Sequence, residues 1–180
     1  MQQNQRIILY ILLLIAGASW TLLSANTSTS PQAGNLPAPQ AGFHAPDITA
    51  KTAAGETYSL QDLHGQAVLV NLWATWCPPC RAEMPTIEKM YQEYKEQGLV
   101  VLAVDMTSQD DPTAINPFVK QYHLTFPILL DETGAVSSAY QLNSLPSSYF
   151  IDRAGIISEV VIGGPMSEAL LRTNIEEILK

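Results

Sequence analysis

Two cysteines separated by two prolines are the residues of this sequence best suited to chemistry. Cys77 and Cys80 are the only cysteines among the 180 residues, so a scaffold of several disulfides is excluded. Structural zinc is disfavoured, because a closed site takes four ligands and the three histidines are scattered through the chain. The remaining chemistry is exchange between a dithiol and a disulfide, in which a thiolate is the nucleophile.

The cysteines lie where a strand gives way to a helix. They follow an apolar run at residues 67–72 and precede a segment with helical periodicity. The unpaired N–H groups and the dipole of a helix start stabilise an anion, which lowers the pKa of a thiol at Cys77. Pro78 and Pro79 suit a first helical turn, but they remove N–H donors from the thiolate. We therefore expect a comparatively reducing pair.

The spacing of the cysteines assigns them different roles. Cys80 lies about one helical turn after Cys77, which puts the two sulfurs within reach of a disulfide. We expect Cys77 to be the exposed, attacking cysteine and Cys80 to be the buried, resolving one. Trp76, Pro78 and Pro79 are expected to shape the substrate surface around Cys77. Trp73 belongs either to this surface or to the core. A structural disulfide or half of a zinc site is the alternative for such a pair.

From residue 42 onward, short β-rich runs alternate with helical ones, which is typical of an α/β fold. An edge hairpin is predicted within residues 47–59. Two buried strands, at residues 67–72 and 99–104, flank a helix and predict a right-handed βαβ unit. Pro85 lies inside that helix and predicts a kink.

The second half of the chain predicts helices on both faces of the sheet. A helix beginning at residues 111–112 is followed by a strand at 126–130, a short helix at 135–140 and a hairpin at 148–162. Ser167 is expected to cap a last helix, with Met166 packed against Leu171. The apolar face of this helix is predicted to consist of Leu170, Leu171, Ile175, Ile178 and Leu179.

The N-terminal part of the chain predicts a membrane anchor. Residues 7–23 carry no charge and span about 25 Å as a helix. A signal peptide cut after Ala25 is the alternative. Arg6 is the only basic residue before Lys51, which predicts a cytoplasmic N-terminus and a domain outside. The predicted organisation is an anchor at 1–25, a flexible linker at 26–41 and one domain at 42–180.

The net charge limits the partners. It is −8 for the whole chain and −9 beyond residue 41, so we expect no nucleic-acid partner. Most of this charge is expected to be a solvated surface, with a basic partner as the alternative.

The motif WCPPC after an apolar strand, with Pro146 just before a later strand, resembles the thioredoxin superfamily. The chain resembles the TlpA/ResA branch of this superfamily in four features: the N-terminal anchor, the hairpin, the added helix and strand at 111–130, and the run of residues 83–85. This resemblance implies a central mixed β-sheet flanked by helices. It also implies a thiol-disulfide oxidoreductase without a cofactor or metal, which reduces protein disulfides outside the cytoplasmic membrane, notably in apocytochrome c. A membrane thiol-disulfide electron donor would recharge the pair.

The resemblance also assigns residues. Pro146 matches the family's cis-proline facing the disulfide, which presents the backbone of Leu145 to a substrate strand. Glu83 matches the acidic residue that tunes the pair. Thioredoxin has a buried Asp six residues before the first cysteine, where this chain has Asn71, and Asn cannot carry a proton. Glu83 is therefore the candidate acceptor for the proton of Cys80, with a solvated helix residue as the alternative.

Other functions remain open at this point. A peroxiredoxin needs Thr or Ser where this chain has Ala74. A copper-delivery module would want cysteines three residues apart with a nearby His, and the two prolines between Cys77 and Cys80 leave little freedom to wrap a metal. Within the oxidoreductase class, an oxidant with broader substrates competes with a reductant. His44, His64 and His123 have no partner in the motif and are expected to be structural or on the surface.

Overall fold

The structure, a computed structural model, describes residues 36–180. One mixed sheet contains seven strands: β1 (Thr49–Thr52), β2 (Thr57–Ser59), β3 (Ala67–Trp73), β4 (Leu99–Asp105), β5 (Ile128–Leu130), β6 (Ser147–Ile151) and β7 (Ile157–Ile162). Four α-helices accompany it: α1 (Pro78–Tyr94), α2 (Pro112–Tyr122), α3 (Ala135–Ala139) and α4 (Glu168–Ile178). The order across the sheet is β2-β1-β5-β4-β3-β6-β7.

Strand β3 forms the centre of the sheet. All seven of its residues are buried, as its continuous apolar run predicts. It pairs in parallel with β4 across the connection through α1 and antiparallel with β6, which confirms the βαβ unit and the mixed sheet. The predicted edge hairpin is present as β1 and β2. Strand β5 begins two residues later than predicted, because Pro127 has no N–H for the ladder.

Side chains of β3 alternate between two cores. Those facing one side pack with residues of α1, α2 and α4, including Met84, Phe118 and Leu171. Those facing the other side pack with α3 and with the segments around β1 and β2, including Val136 and Ile48. Helices therefore lie on both faces, as predicted, with the longer ones on one side.

Helices α2 and α4 begin where they were predicted to begin, α4 with the predicted cap. Asp111 and Ser167 accept hydrogen bonds from N–H groups in the first turns of α2 and α4. Met166 and Leu171 are buried in the same core, as expected. The prediction for Leu170 is wrong, because this side chain is 42% exposed. It lies about 100° around the helix from Leu171, outside the stripe that faces the sheet.

Helix α1 is one continuous element with Pro85 inside it. Its N-terminal turn holds the cysteine motif, and its buried face ends at Tyr94. Gly98 then adopts a left-handed conformation that returns the chain to β4.

The segment at residues 36–41, assigned to the linker from sequence, makes backbone hydrogen bonds with the domain. The N–H of Ala38 donates to the carbonyl of His44, and the carbonyl of Gln40 accepts from the N–H of Phe43. Within residues 36–180, no helix has the length and apolar character that a membrane crossing requires. The predicted span at residues 7–23 lies outside the described part of the chain.

Candidate active site

A disulfide joins Cys77 to Cys80 at the start of α1. Cys77 is the residue that caps the helix, and its sulfur accepts a hydrogen bond of 3.3 Å from the backbone N–H of Cys80. The two Cα atoms are 5.3 Å apart, within the ordinary range for a disulfide. Pro78 and Pro79 occupy the first helical positions, where they contribute no N–H to the Cys77 sulfur.

The burial of the cysteines differs from expectation. Cys80 is fully buried, as predicted, but Cys77 is only 2% exposed in the disulfide form. The prediction of an exposed Cys77 is therefore wrong, because Cys77 belongs to the buried core on the α1 side of the sheet. Trp76, by contrast, is 56% exposed beside it. Cys77 is nevertheless the cysteine that borders a surface groove, and Cys80 is not.

This groove has a volume of about 330 Å³ and brings together five of the predicted site residues. It is lined by Trp76, Cys77, Pro78, Pro79, Met106, Gln109, Leu142, Asn143, Ser144 and Leu145. No charged side chain is among these residues. A groove of this kind suits an uncharged stretch of polypeptide around a disulfide.

The Leu145–Pro146 peptide bond is cis, which confirms the expectation for Pro146. Pro146 is buried, and its carbonyl accepts a hydrogen bond from the N–H of Gly163. Among residues 36–180, the N–H and carbonyl of Leu145 make no backbone hydrogen bond. They are therefore available to a substrate strand.

Glu83 is fully buried one helical turn after Cys80. The alternative of a solvated helix residue is therefore wrong. Its Oε1 accepts a hydrogen bond of 2.9 Å from Asn71 Nδ2, and its Oε2 accepts one of 3.2 Å from the N–H of Met166. Burial raises the pKa of Glu83, and these two hydrogen bonds oppose the rise. The site thus holds a buried carboxyl group that favours its protonated form more than usual.

Several residues around Glu83 were missed by sequence reasoning. Asn71 was noted only as a missing acid, yet it orients Glu83 and also donates to Ser148 Oγ at 2.9 Å. Gly164 packs closely against Glu83 and Pro146. A Cβ atom at this position would be 2.7 Å from Glu83 Oε2 and 2.8 Å from Pro146 Cγ. The following Gly164–Pro165 bond is also cis, which nothing in the sequence had indicated.

The remaining aromatic and histidine residues lie away from this chemistry. Trp73 is fully buried and packs against Phe118, so it belongs to the core. His44 and His64 lie together beside Gly155, in a separate cavity of about 200 Å³. Among residues 36–180, no three His, Cys, Asp or Glu side chains are arranged to hold a metal ion.

Three features on a mixed sheet define a thioredoxin-like thiol-disulfide oxidoreductase: a disulfide at a helix start, a cis-proline that follows Leu145 of the adjoining groove, and a buried carboxyl group. The chain belongs to the AhpC/TSA family, whose sequence model matches residues 41–160. The resemblance to the TlpA/ResA branch is also confirmed, and the enzyme is of the ResA/DsbE type.

Individual relatives support this assignment. The chain is 45% identical over 125 residues to the thioredoxin-like protein YneN of Bacillus subtilis, covering 69% of this chain and 72% of that protein. It is 37% identical over 131 residues to the thiol-disulfide oxidoreductase ResA of Bacillus cereus, covering 73% and 75%. A thiol:disulfide interchange protein of the thioredoxin family from Chlorobium tepidum superposes with a TM-score of 0.70 at 25% identity, covering 82% of this chain and all of that one.

Proposed function

We propose that this enzyme reduces disulfides of proteins outside the cytoplasmic membrane, including the disulfide of apocytochrome c before haem attachment. Cys77 attacks, Cys80 resolves and Glu83 exchanges the proton of Cys80. Trp76, Pro78, Pro79 and Leu145 bind the substrate segment, with Pro146 presenting the Leu145 backbone. The ResA relatives and the TlpA/ResA resemblance support this role.

One observation favours the reducing direction. The disulfide sulfur of Cys77 stands where its thiolate would be in the reduced enzyme. It accepts one backbone hydrogen bond, from Cys80, while Pro78 and Pro79 donate none. A less stabilised thiolate has a higher pKa and is a poorer leaving group, so the dithiol gives up its electrons more readily.

The reaction is a pair of thiol-disulfide exchanges. The Cys77 thiolate attacks one sulfur of the substrate disulfide, forming a mixed disulfide and releasing the other sulfur as a thiolate. Cys80 loses its proton and attacks the Cys77 sulfur, which releases the second substrate thiolate. The substrate gains two electrons and two protons, and the enzyme is left with the Cys77–Cys80 disulfide. A thiol-disulfide donor in the membrane then reduces this disulfide.

Glu83 is placed to receive the proton from Cys80. Both residues are fully buried on one side of α1, where water is excluded. A carboxylate near a buried thiol disfavours the thiolate and so supports a reducing pair, and it accepts the proton as the disulfide forms. Hydrogen bonds from Asn71 and Met166 hold the carboxyl group in place.

We predict that Glu83→Gln slows disulfide formation from the mixed disulfide by about tenfold to a hundredfold near neutral pH. The variant keeps the shape of the side chain but cannot accept a proton. Its rate-against-pH profile should also lose the step due to Glu83. Stopped-flow kinetics and redox titration of the full-length chain measure the rate and the potential.

The melting temperature provides a second readout. The raised pKa means that folded Glu83 holds its proton at a pH where the unfolded chain has lost it. Wild-type stability should therefore fall as the pH rises from 4.5 through the raised pKa, and this fall should be absent in Glu83→Gln. Exposed Glu96, changed to Gln, is the matched control. Wild-type kinetics and potential in Glu83→Gln would show that Glu83 does not transfer the proton.

The location forms part of the same proposal. The uncharged run at residues 7–23 after Arg6 favours an anchor that leaves the domain outside the cytoplasm. The chain would cross the membrane once, with residues 1–25 as the anchor and residues 26–41 as the linker. This topology would hold the active site close to the thiol-disulfide donor in the membrane.

One labelling experiment tests both direction and location, because the chain has no cysteine outside the motif. Intact cells stripped of their wall are treated with a membrane-impermeant maleimide. We expect the Cys77 thiol of the full-length chain to be labelled, since the domain is outside and its pair is kept reduced. A chain without either cysteine controls for background. Labelling only after permeabilisation would contradict the location, and labelling only after an added reductant would favour an oxidant.

A further inference from the structure

A cluster of polar groups outside the disulfide clamps the chain just before Cys77. Residues 74–76 form the redox loop, which connects β3 to α1. Asp110 lies in the acidic loop, residues 107–111, between β4 and α2. Its Oδ2 accepts a hydrogen bond of 2.5 Å from the N–H of Thr75, and its Oδ1 accepts one of 2.6 Å from the Thr75 hydroxyl.

The redox loop is held at two further points. Arg81 Nη1 donates to the carbonyl of Thr75 at 3.0 Å, so an anion and a cation bind opposite sides of one residue. The indole N–H of Trp76 donates to the carbonyl of Gln109 at 3.1 Å, which fixes an exposed aromatic ring to the acidic loop. Trp76 and Gln109 both line the groove beside Cys77. The acidic loop therefore determines where one wall of the groove lies.

A second carboxyl group lies beneath this clamp. Asp105 is fully buried at the end of β4, and its Oδ1 accepts a hydrogen bond of 2.9 Å from the Thr107 hydroxyl. Its Oδ2 has no donor among residues 36–180. Burial raises the pKa of Asp105 to about 8, and the neighbouring Asp110 contributes to the rise. At neutral pH Asp105 is therefore protonated, and its O–H has Asp110 as an acceptor within reach.

We propose that Asp110 is a positioning residue that holds the redox loop and Trp76 in the arrangement that binds protein substrates, and that the buried Asp105 supports it from below. Asp110 touches neither sulfur, so its action runs through Thr75 and the groove wall. This inference requires the disulfide exchange activity, but it does not depend on the direction of that exchange or on apocytochrome c.

Other charged groups at this site do not replace Asp110. The Asp111 carboxylate caps α2 by accepting from Thr113, while the Asp111 N–H itself donates to Asp110 Oδ1 at 2.8 Å. Asp131, beside the strand end, turns its carboxylate to the first turn of α3. Arg81 is the one cation in the described contacts of the redox loop, and it binds Thr75 rather than Asp110.

The test compares two disulfides with the full-length chain in detergent: an extended peptide carrying an internal disulfide, and a small dialkyl disulfide that does not fill the groove. In Asp110→Asn, an NH2 group replaces one of the two carboxylate oxygens and cannot accept a hydrogen bond, so one of the two bonds from Thr75 is lost. We expect KM for the peptide to rise by about tenfold, the equivalent of about one lost charge-assisted hydrogen bond, with kcat nearly unchanged. The rate with the small disulfide should stay within about twofold of wild type.

Two further variants sharpen the test. Asp111→Asn makes the same change of charge one residue away and should leave KM for the peptide unchanged. Thr75→Val removes only the hydroxyl hydrogen bond and should raise KM in the same direction by a smaller factor, which keeps the proposal testable if Asp110→Asn does not fold. Equal losses with both disulfides, or an unchanged KM for the peptide, would overturn the proposal.

The pH dependence distinguishes a role for Asp105. Below about pH 8, Asp105 keeps its proton, so it does not repel the carboxylate of Asp110. Above about pH 8, Asp105 is ionised and the two neighbouring carboxylates repel each other. Wild-type KM for the peptide should therefore rise above about pH 8. Asp105→Asn keeps a donor towards Asp110 at every pH and should flatten this rise. A rise that persists in Asp105→Asn would remove Asp105 from the proposal.

Discussion

Cys80→Ser is expected to stop turnover at a mixed disulfide on Cys77, lowering the steady-state rate by at least about a hundredfold. Cys77 borders the groove and caps α1, so it can still attack the substrate. Serine at position 80 leaves no thiol to displace the substrate sulfur. A non-reducing gel, or the intact mass of the chain with an apocytochrome c peptide bearing a Cys-x-x-Cys disulfide, measures the trapped adduct.

Cys77→Ser is the matched control. It leaves Cys80 fully buried in the core, where a substrate disulfide cannot approach. We expect no adduct and no turnover from this variant. Equal trapping by the two variants would contradict the assignment of the attacking and resolving cysteines.

Gly164→Ala is expected to destabilise the domain by about 1–3 kcal/mol and to lower the rate of disulfide reduction by about tenfold or more. The new methyl group would meet Glu83 Oε2 at 2.7 Å and the Pro146 ring at 2.8 Å, so at least one of them must move. Either movement disturbs a group placed at the active site. Thermal unfolding and single-turnover kinetics measure the two effects.

Gly163→Ala separates this clash from backbone strain. Gly163 has a φ of 85°, which costs an L-residue about 1–2 kcal/mol, but a Cβ there meets no atom within 4 Å. This variant should lose stability while keeping the wild-type potential and pH profile. If Gly164→Ala also loses stability but keeps the wild-type potential and pH profile, the contact of position 164 with Glu83 and Pro146 does not affect catalysis.

Much of the fold and part of the site were predictable because their signals are local. Four signals each depend on a few neighbouring residues: the apolar run of β3, the helix start at Asp111, the cap at Ser167 and the cysteine spacing. Pro146 was found by resemblance, since a single proline does not reveal its isomer. The groove residues next to Cys77 were predicted from their adjacency in sequence alone.

The contacts that were missed join residues far apart in the chain. Glu83 meets Met166 across 83 positions, and Thr75 meets Asp110 across 35. No periodicity or capping rule pairs such residues, because the pairing depends on how α1, the sheet and the loops pack. The burial of Cys77 was also missed, since the sequence places it at an exposed helix start and does not show how the surrounding segments pack.

The position of Glu83 has a consequence for local unfolding. Its carboxyl group connects α1 with β3 through Asn71 and with the chain before α4 through Met166, while Asn71 in turn reaches β6 through Ser148. If one of these segments detached alone, it would leave a buried donor or acceptor without its partner. They therefore open as one cooperative unit.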